Sequence, residues 1–215
     1  MPNIKICNRC VMDETVPDIH LDENGVCNLC TAALKKMSDE VFTGSEGKIK
    51  LNNLANQIRS STKKKYNCII GVSGGVDSSY VAYLTKSLGL NPLAVHLDNG
   101  WNTDTSVKNI EKILDKLDID LYTHVIDWEE FRELQLSFLK SSIANAEIPT
   151  DQAITAILYK LAAKFGVKYI INGGNVNSES IMPESWMEDN LDTRLIKSIH
   201  KKYSNKSLKT YPMMG

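Results

Sequence analysis

Cys68-Ile69-Ile70-Gly71-Val72-Ser73-Gly74-Gly75-Val76-Asp77-Ser78-Ser79 is the stretch on which the fold turns. Residues 68–72 form a short apolar run suited to a buried strand, and residues 76–88 have helical spacing with Gly89 as their stop. Between them lie two adjacent glycines flanked by serines. Without Cβ atoms, the glycines let backbone N–H groups turn inward and let a phosphate approach closely. The helix that opens near Val76 adds unpaired N–H groups and the positive end of its dipole. Ser73, Ser78 and Ser79 can donate hydroxyl hydrogen bonds to phosphate oxygens. Asp77 repels an anion by itself, so its expected role is through Mg2+. The loop lacks the Gly-Lys-Ser/Thr ending of a γ-phosphate-transferring loop.

Downstream, short apolar runs and amphipathic stretches keep alternating. Residues 93–97, 121–126 and 167–171 read as further strands. Residues 107–117, 128–143 and a stretch from Thr150-Asp151 to Phe165 read as helices, the last stopped by Gly166. This alternation predicts an α/β fold: a doubly wound parallel sheet with helices on both faces. Its ligands belong beyond the carboxyl ends of the strands. Upstream, residues 31–41 have helical character, Thr43-Gly44-Ser45-Glu46-Gly47-Lys48 reads as a polar linker, and Leu51, Leu54 and Ile58 begin an amphipathic helix. The expected domains are residues 1–42 and 48–215.

The first thirty residues carry Cys7, Cys10, Cys27 and Cys30, two C-x2-C pairs separated by 16 residues. Each tight turn brings sulfurs at i and i+3 together, and two such turns offer four thiolates at tetrahedral corners. Structural Zn2+ fits that pattern, with no coordination position left for water. A redox dithiol and four unrelated cysteines are the rival readings. Asp22-Glu23-Asn24-Gly25 supplies a turn into the second pair. Cys68 reads as a small buried hydrophobe.

Two segments fall at strand ends. Val95-His96-Leu97-Asp98-Asn99-Gly100-Trp101 puts His96 and Asp98 at the end of the second strand, where ligands of a parallel sheet sit, although an Asp-Asn-Gly turn with a packed tryptophan explains Asp98 equally well. Ile171-Asn172-Gly173-Gly174-Asn175-Val176-Asn177-Ser178-Glu179-Ser180 offers Gly173 and Gly174 for close backbone approach, and Asn175 and Glu179 as ligands of substrate or metal. A capped polar loop explains the same residues. Asp151 can orient substrate or cap its helix.

No apolar run approaches the ~18–20 residues of a membrane-spanning helix, and Met1 to Cys7 shows no secretory pattern, so a cytoplasmic, membrane-free protein is expected. The formal charge of -1 leaves a nucleic-acid face to local segregation of charge. Lys63-Lys64-Lys65, and Lys201-Lys202 with Lys197, Lys206 and Lys209, read as solvated surface, so no nucleic-acid partner is expected.

The motif S-G-G-x-D-S-S after a strand resembles the signature of the PP-loop, or N-type, ATP pyrophosphatases, which cut ATP between the α and β phosphates. That resemblance implies ATP and Mg2+, with Ser73, Gly74, Gly75, Asp77, Ser78 and Ser79 at the pyrophosphate. His96, Asp98, Gly173 and Asn175 would also bind, and Ser73, Asp77 and Ser78 would act in catalysis. Across the chain, Cys7 to Asp13, Ser73 to Ser79, His96 to Asn102 and Asn172 to Ser180 resemble the N-acetyl sugar amidotransferases of surface-polysaccharide and nonulosonic-acid biosynthesis. Members of that family continue past the position of Gly215, so Tyr211-Pro212-Met213-Met214-Gly215 reads as an interruption. The resemblance implies an N-acetylated sugar substrate and a separate glutaminase subunit with a cyclase-like ammonia conduit. The alternatives are a tRNA-thiolating PP-loop enzyme and an inactive, truncated docking module.

Overall fold

The computed structural model describes residues 4–179 and 181–214. Ser180, Gly215 and the first three residues, together with the side chains of Asn177 and Ser178, lie outside the described residues. The chain divides into two compact units, one running to Leu51 and including Gly174–Glu188, the other comprising Asn52–Gly173 and the residues from Asp189.

The second unit is built on four parallel strands in the order β3-β2-β1-β4. They are β1 (Cys68–Gly71), β2 (Pro92–Asp98), β3 (Leu121–Val125) and β4 (Ile170–Ile171). Side chains alternate across a strand, and the two neighbours Ile69 and Ile70 feed different clusters. Ile69 packs with Leu93, Val95 and the α6 residues Ile157 and Leu161 (α6 is Ile148–Phe165). Ile70 packs with Ala94, with Ala82 of α3 (Val76–Ser87), and with Ile110 and Leu114 of α4 (Asp104–Leu117). The sheet is therefore covered on both faces, as the sequence predicts.

A third cluster joins Phe131, Leu134 and Phe138 of α5 (Trp128–Ser141) to Ile196 and Ile199 of α8 (Thr193–Tyr203). Each large side chain buried there contributes about 1.5–3 kcal/mol. The irregular segment after α8 is held by one carboxylate: Glu130 accepts backbone N–H bonds from Lys209, Thr210 and Tyr211 at 2.9–3.1 Å. The Tyr211 hydroxyl donates to Pro149 O at 2.6 Å.

Three expectations need correction. The helix α6 starts at Ile148, not at Thr150-Asp151, because Pro149 sits in its first turn, where a missing N–H is harmless. Asp151 is thus inside the helix and does not cap it; its Oδ2 accepts from Asn190 Nδ2 at 2.8 Å. Only Ile170–Ile171 of residues 167–171 is paired strand, because the Val167 N–H closes the end of α6 on Ala162 O at 2.9 Å. Residues 44–48 are not a linker but the start of α2 (Gly44–Ser60). Lys50 holds that turn, lying 3.2 Å from Glu46 Oε1 and 3.0 Å from the Phe42 ring centroid.

In the first unit, α1 (Asn28–Glu40) follows two knuckles closed by isolated antiparallel bridges, Ile6 to Asp13 and Leu21 to Cys27. Asp22 Oδ1 accepts from the N–H groups of Asn24 and Val26, and Gly25 takes φ +73°, completing the turn read at 22–25. The short helix α7 (Val176–Glu179) and a 3-10 turn at Glu184–Trp186 belong to the same unit.

Candidate nucleotide site and thiol cluster

The loop from Val72 to Gly75 joins the carboxyl end of β1 to α3. Gly74 has φ +77°, and a Cβ there would collide with the Ser106 carbonyl oxygen, so the second unit requires glycine at 74 for both conformation and space. Asn109 Nδ2 donates to Gly74 O at 3.3 Å, holding the loop to α4 from behind. Sequence reasoning passed over Asn109, an exposed-looking helix residue with no motif around it.

Gly75 is the N-cap of α3 at φ -81°, ψ 168° and supplies no side-chain cap. The first-turn amides of α3 are left for solvent or an anion. Ser73 Oγ and Ser78 Oγ lie 3.2 Å apart, Ser73 N donates to Ser78 Oγ at 3.2 Å, and Ser78 Oγ donates to Gly75 O at 3.2 Å. These bonds bring the two ends of the loop together and leave Asp77 exposed in the first turn. Ser79 donates its N–H to Gly75 O, closing that turn.

His96 is buried, and its Nδ1 lies 3.0 Å from Val72 O, tying β2 to the entry of the loop. It lines a cavity of about 240 Å3 at the ends of β1 and β2, shared with Ser73, Asn99, Asn102, Thr150 and Leu158. Thr150 Oγ1 is buried there without a hydrogen-bond partner. An unpaired hydroxyl of that kind favours a polar ligand group, and the cavity adjoins the phosphate loop at Ser73. In the sequence Thr150 reads only as a helix start, and Asn102 only as the last residue of the His96–Asn102 motif; neither is singled out there as a cavity residue. Asp98 Oδ1 accepts from Gly100 N and Asn102 Nδ2, both at 3.1 Å, so its carboxylate organises the turn.

Gly173 lies against the mouth of α3: a Cβ there would be 3.3 Å from Asp77 Cβ and 3.6 Å from Ser78 N. Asn175 lies in the first unit, where its N–H meets Glu179 Oε2 at 3.0 Å. The last residue of that motif, Ser180, lies outside the described residues.

The sulfurs of Cys7, Cys10, Cys27 and Cys30 all lie within 4.8 Å of one another. Cys7 to Cys30 is 3.9 Å and Cys10 to Cys27 is 3.8 Å. Zinc–sulfur bonds of ~2.3 Å at tetrahedral angles require sulfurs about 3.8 Å apart, so the donor set fits zinc. Cys7 Sγ accepts from the N–H groups of Arg9 at 3.4 Å and Cys27 at 3.2 Å, and Cys27 Sγ from Cys30 N at 3.3 Å. Burial opposes ionisation of Cys7, but N–H donors from Arg9, Cys10 and Cys27 outweigh it and draw that thiol down to about 6. Burial and its thiol neighbours push Cys30 up to about 12. Four thiolates cannot crowd together without a cation, and a dipositive ion supplies the missing charge.

Among the described residues no helix is long and apolar enough to cross a membrane. A family model described as NAD synthase matches residues 49–183. The tRNA-specific 2-thiouridylase MnmA 2 of Fusobacterium nucleatum is 25% identical over 150 residues, covering 66% of this chain and 41% of that protein. An uncharacterised protein of Methanocaldococcus jannaschii is 28% identical over 181 residues, covering 78% of this chain and 58% of its own length. The chain thus spans about half the length of these curated relatives. Among solved structures, NMN synthetase from Francisella tularensis superposes with a TM-score of 0.46 at 23% identity, over 60% of this chain and 54% of that one. The NH3-dependent NAD synthetase from Campylobacter jejuni gives 0.45 at 18% identity, over 59% and 54%.

Proposed function

The chain belongs to the NAD synthase family, and on that premise we propose that it is an AMP- and pyrophosphate-forming amidotransferase acting on an N-acetylated sugar. The observation that supports the ATP half is the mouth of α3: Gly74 wedged on α4, an N-cap without a side chain, and the Ser73–Ser78 hydroxyl pair. The sugar half rests on the resemblance carried by the motifs from Cys7 to Ser180.

An amide carbon is a weak electrophile and its oxygen leaves poorly, which is why such a reaction needs ATP. Attack of the acetamido oxygen on the α-phosphorus breaks the bond to the bridging oxygen, releases pyrophosphate and gives an O-adenylyl imidate. Ammonia adds to that carbon and loses a proton, and AMP departs to leave an acetamidino group. The chain's part is alignment and charge stabilisation. Ser73, Gly74, Gly75, Ser78 and Ser79 would hold the pyrophosphate, and the cavity by His96 the nucleoside. Magnesium, held near Asp77, would supply positive charge to the phosphate oxygens. Zinc on Cys7, Cys10, Cys27 and Cys30 would have a structural role.

Ammonia needs a source. Cys68 is fully buried, and burial pushes its thiol up to about 12, while the other four thiols face one another. A separate glutaminase subunit with a cyclase-like conduit fits that shortage of a nucleophile, in a cytoplasmic complex.

The second reading is tRNA thiolation, favoured by the resemblance to the 2-thiouridylases. That chemistry usually draws on a reactive cysteine beside the adenylate, a role for which buried, un-ionised Cys68 is unsuited. ATP–pyrophosphate exchange against a panel of N-acetylated nucleotide sugars and bulk tRNA tests both. Exchange driven by a sugar, with AMP as product, supports the proposal. Exchange driven by tRNA alone, or ADP as product, overturns it.

A further inference from the structure

Trp101, just beyond β2, is 65% exposed, yet its ring is fixed. Its Nε1 donates to Gln135 Oε1 at 2.7 Å, and it meets Trp128 edge-on at 5.5 Å between centroids. Gly100 makes that contact feasible, since a Cβ there would lie 2.9 Å from Trp128 Cε3. An exposed ring that is already immobilised loses little freedom when a ligand covers it.

Beside it lies a cavity of about 530 Å3, lined by Leu139 and by the polar side chains of Asn99, Arg132, Glu133 and Glu147. That is within the size range of small-molecule sites, roughly 300–1,000 Å3. Asn99 also lines the cavity next to Ser73, so the two spaces share a wall. An apolar indole face ringed by carboxylates and an amide matches a pyranose, whose C–H face is apolar and whose hydroxyls donate hydrogen bonds. It suits a nucleic-acid strand poorly. Two carboxylates stand against one guanidinium, which itself lies 3.5 Å from Glu133 Oε1, and phosphates need an excess of positive charge.

We infer that this cavity is the acceptor site, with a pyranose ring stacked on Trp101 and its hydroxyls on Glu133 and Glu147. The identity of that ring as an N-acetylated sugar rests on the proposed function; the platform rests on the geometry alone.

The probe is methyl N-acetyl-β-glucosaminide, followed by saturation-transfer NMR on the full chain and on Trp101→Ala, Trp101→Phe and Glu147→Gln. Saturation should concentrate on the C–H protons of one ring face. Trp101→Ala should weaken binding by about tenfold or more, equivalent to ~1.4 kcal/mol. Trp101→Phe should restore most of it, and Glu147→Gln should weaken it without lowering the melting temperature. Mg-ATP affinity serves as the control on the fold. Absence of saccharide binding, equal binding by wild type and Trp101→Ala, or displacement of the sugar by tRNA overturns the platform. Sugar-driven exchange with an unchanged KM in Trp101→Ala overturns the platform and leaves the amidotransferase reading standing. Saccharide bound at Trp101 with no sugar-driven exchange does the reverse.

Discussion

Gly74→Ala separates the phosphate loop from the rest of the fold. The backbone at 74 is left-handed, with φ +77°, which costs an L-residue about 1–2 kcal/mol. The added methyl would lie 2.9 Å from both the carbonyl carbon and the Cα of Ser106, where carbon atoms prefer ~3.5–4.0 Å. The loop or the first turn of α4 must therefore shift by roughly 0.5–1 Å. Strain and displacement together should cost about 2–3 kcal/mol and lower Tm by about 4–10 °C. A shift of ~1 Å at a reacting centre costs on the order of 10²-fold in rate, so exchange should fall by about that factor. Gly75→Ala is the internal control. Gly75 has φ -81°, and a Cβ there meets only Ser73 Oγ at 3.5 Å, so Tm should hold within about 1 °C. Its effect should appear in pyrophosphate affinity, because the methyl intrudes where a phosphate would approach. Calorimetric titration of pyrophosphate and thermal melts of both variants decide the matter. Gly74→Ala with near-normal exchange, or Gly75→Ala with unaltered pyrophosphate affinity, would refute the cradle.

Ser78→Ala removes the hydroxyl that links Ser73 N, Ser73 Oγ and Gly75 O; a stability loss of about 1 kcal/mol should accompany a much larger fall in pyrophosphate binding, read by the same titration. The purified chain should carry one zinc, measured by metal analysis, and a strong chelator should make the residues around Cys7–Cys30 sensitive to protease while the sheet of the second unit stays folded. Glu130→Gln should lower stability by about 2 kcal/mol in denaturant melts, since charge-assisted bonds to three backbone N–H groups are weakened. Burial opposes the Glu130 charge, but those bonds prevail and hold its carboxyl below the usual range. Its contribution is then present above the unfolded value of ~4.3 and fades as pH drops through the lower, folded one, so wild type and variant should converge in acid. Asp151 is the opposite case: burial, with Glu147 nearby, raises its carboxyl. The fold then binds that proton more tightly than the unfolded chain does, and stability declines as pH rises through the carboxylate range. Asp151→Asn should accordingly gain on wild type from pH 4 to pH 7 in thermal melts.

The sheet was legible because its signals are local. Residues 68–72 and 93–97 are mostly apolar runs, the second interrupted only by His96, that suit a strand covered on both faces, and the observed strands differ from them by a residue or so. The phosphate loop was legible because adjacent glycines and serines between strand and helix leave few other uses. What escaped was set by distant contacts. The turn at Gly44–Lys50 looks polar and loose, yet Phe42 and Glu46 lock it through Lys50. Val167 has a strand-former's side chain, but the end of α6 claims its N–H. Asn109 and Thr150 gain their places at the loop and cavity from packing between helices that no spacing rule encodes. Part of the basic run at 63–65 is likewise spoken for, with Lys65 Nζ 2.6 Å from Asp120.

The contact of Gly173 with Asp77 joins positions nearly a hundred apart along the chain. During synthesis Ser73 to Ser79 leave the ribosome long before the strand that walls their far side exists. Closing so wide a loop is slow, so competence to capture ATP is expected to appear among the late events of folding. Once seated, the nucleotide would act as a latch between early-made and late-made chain, and favour their joined state by mass action.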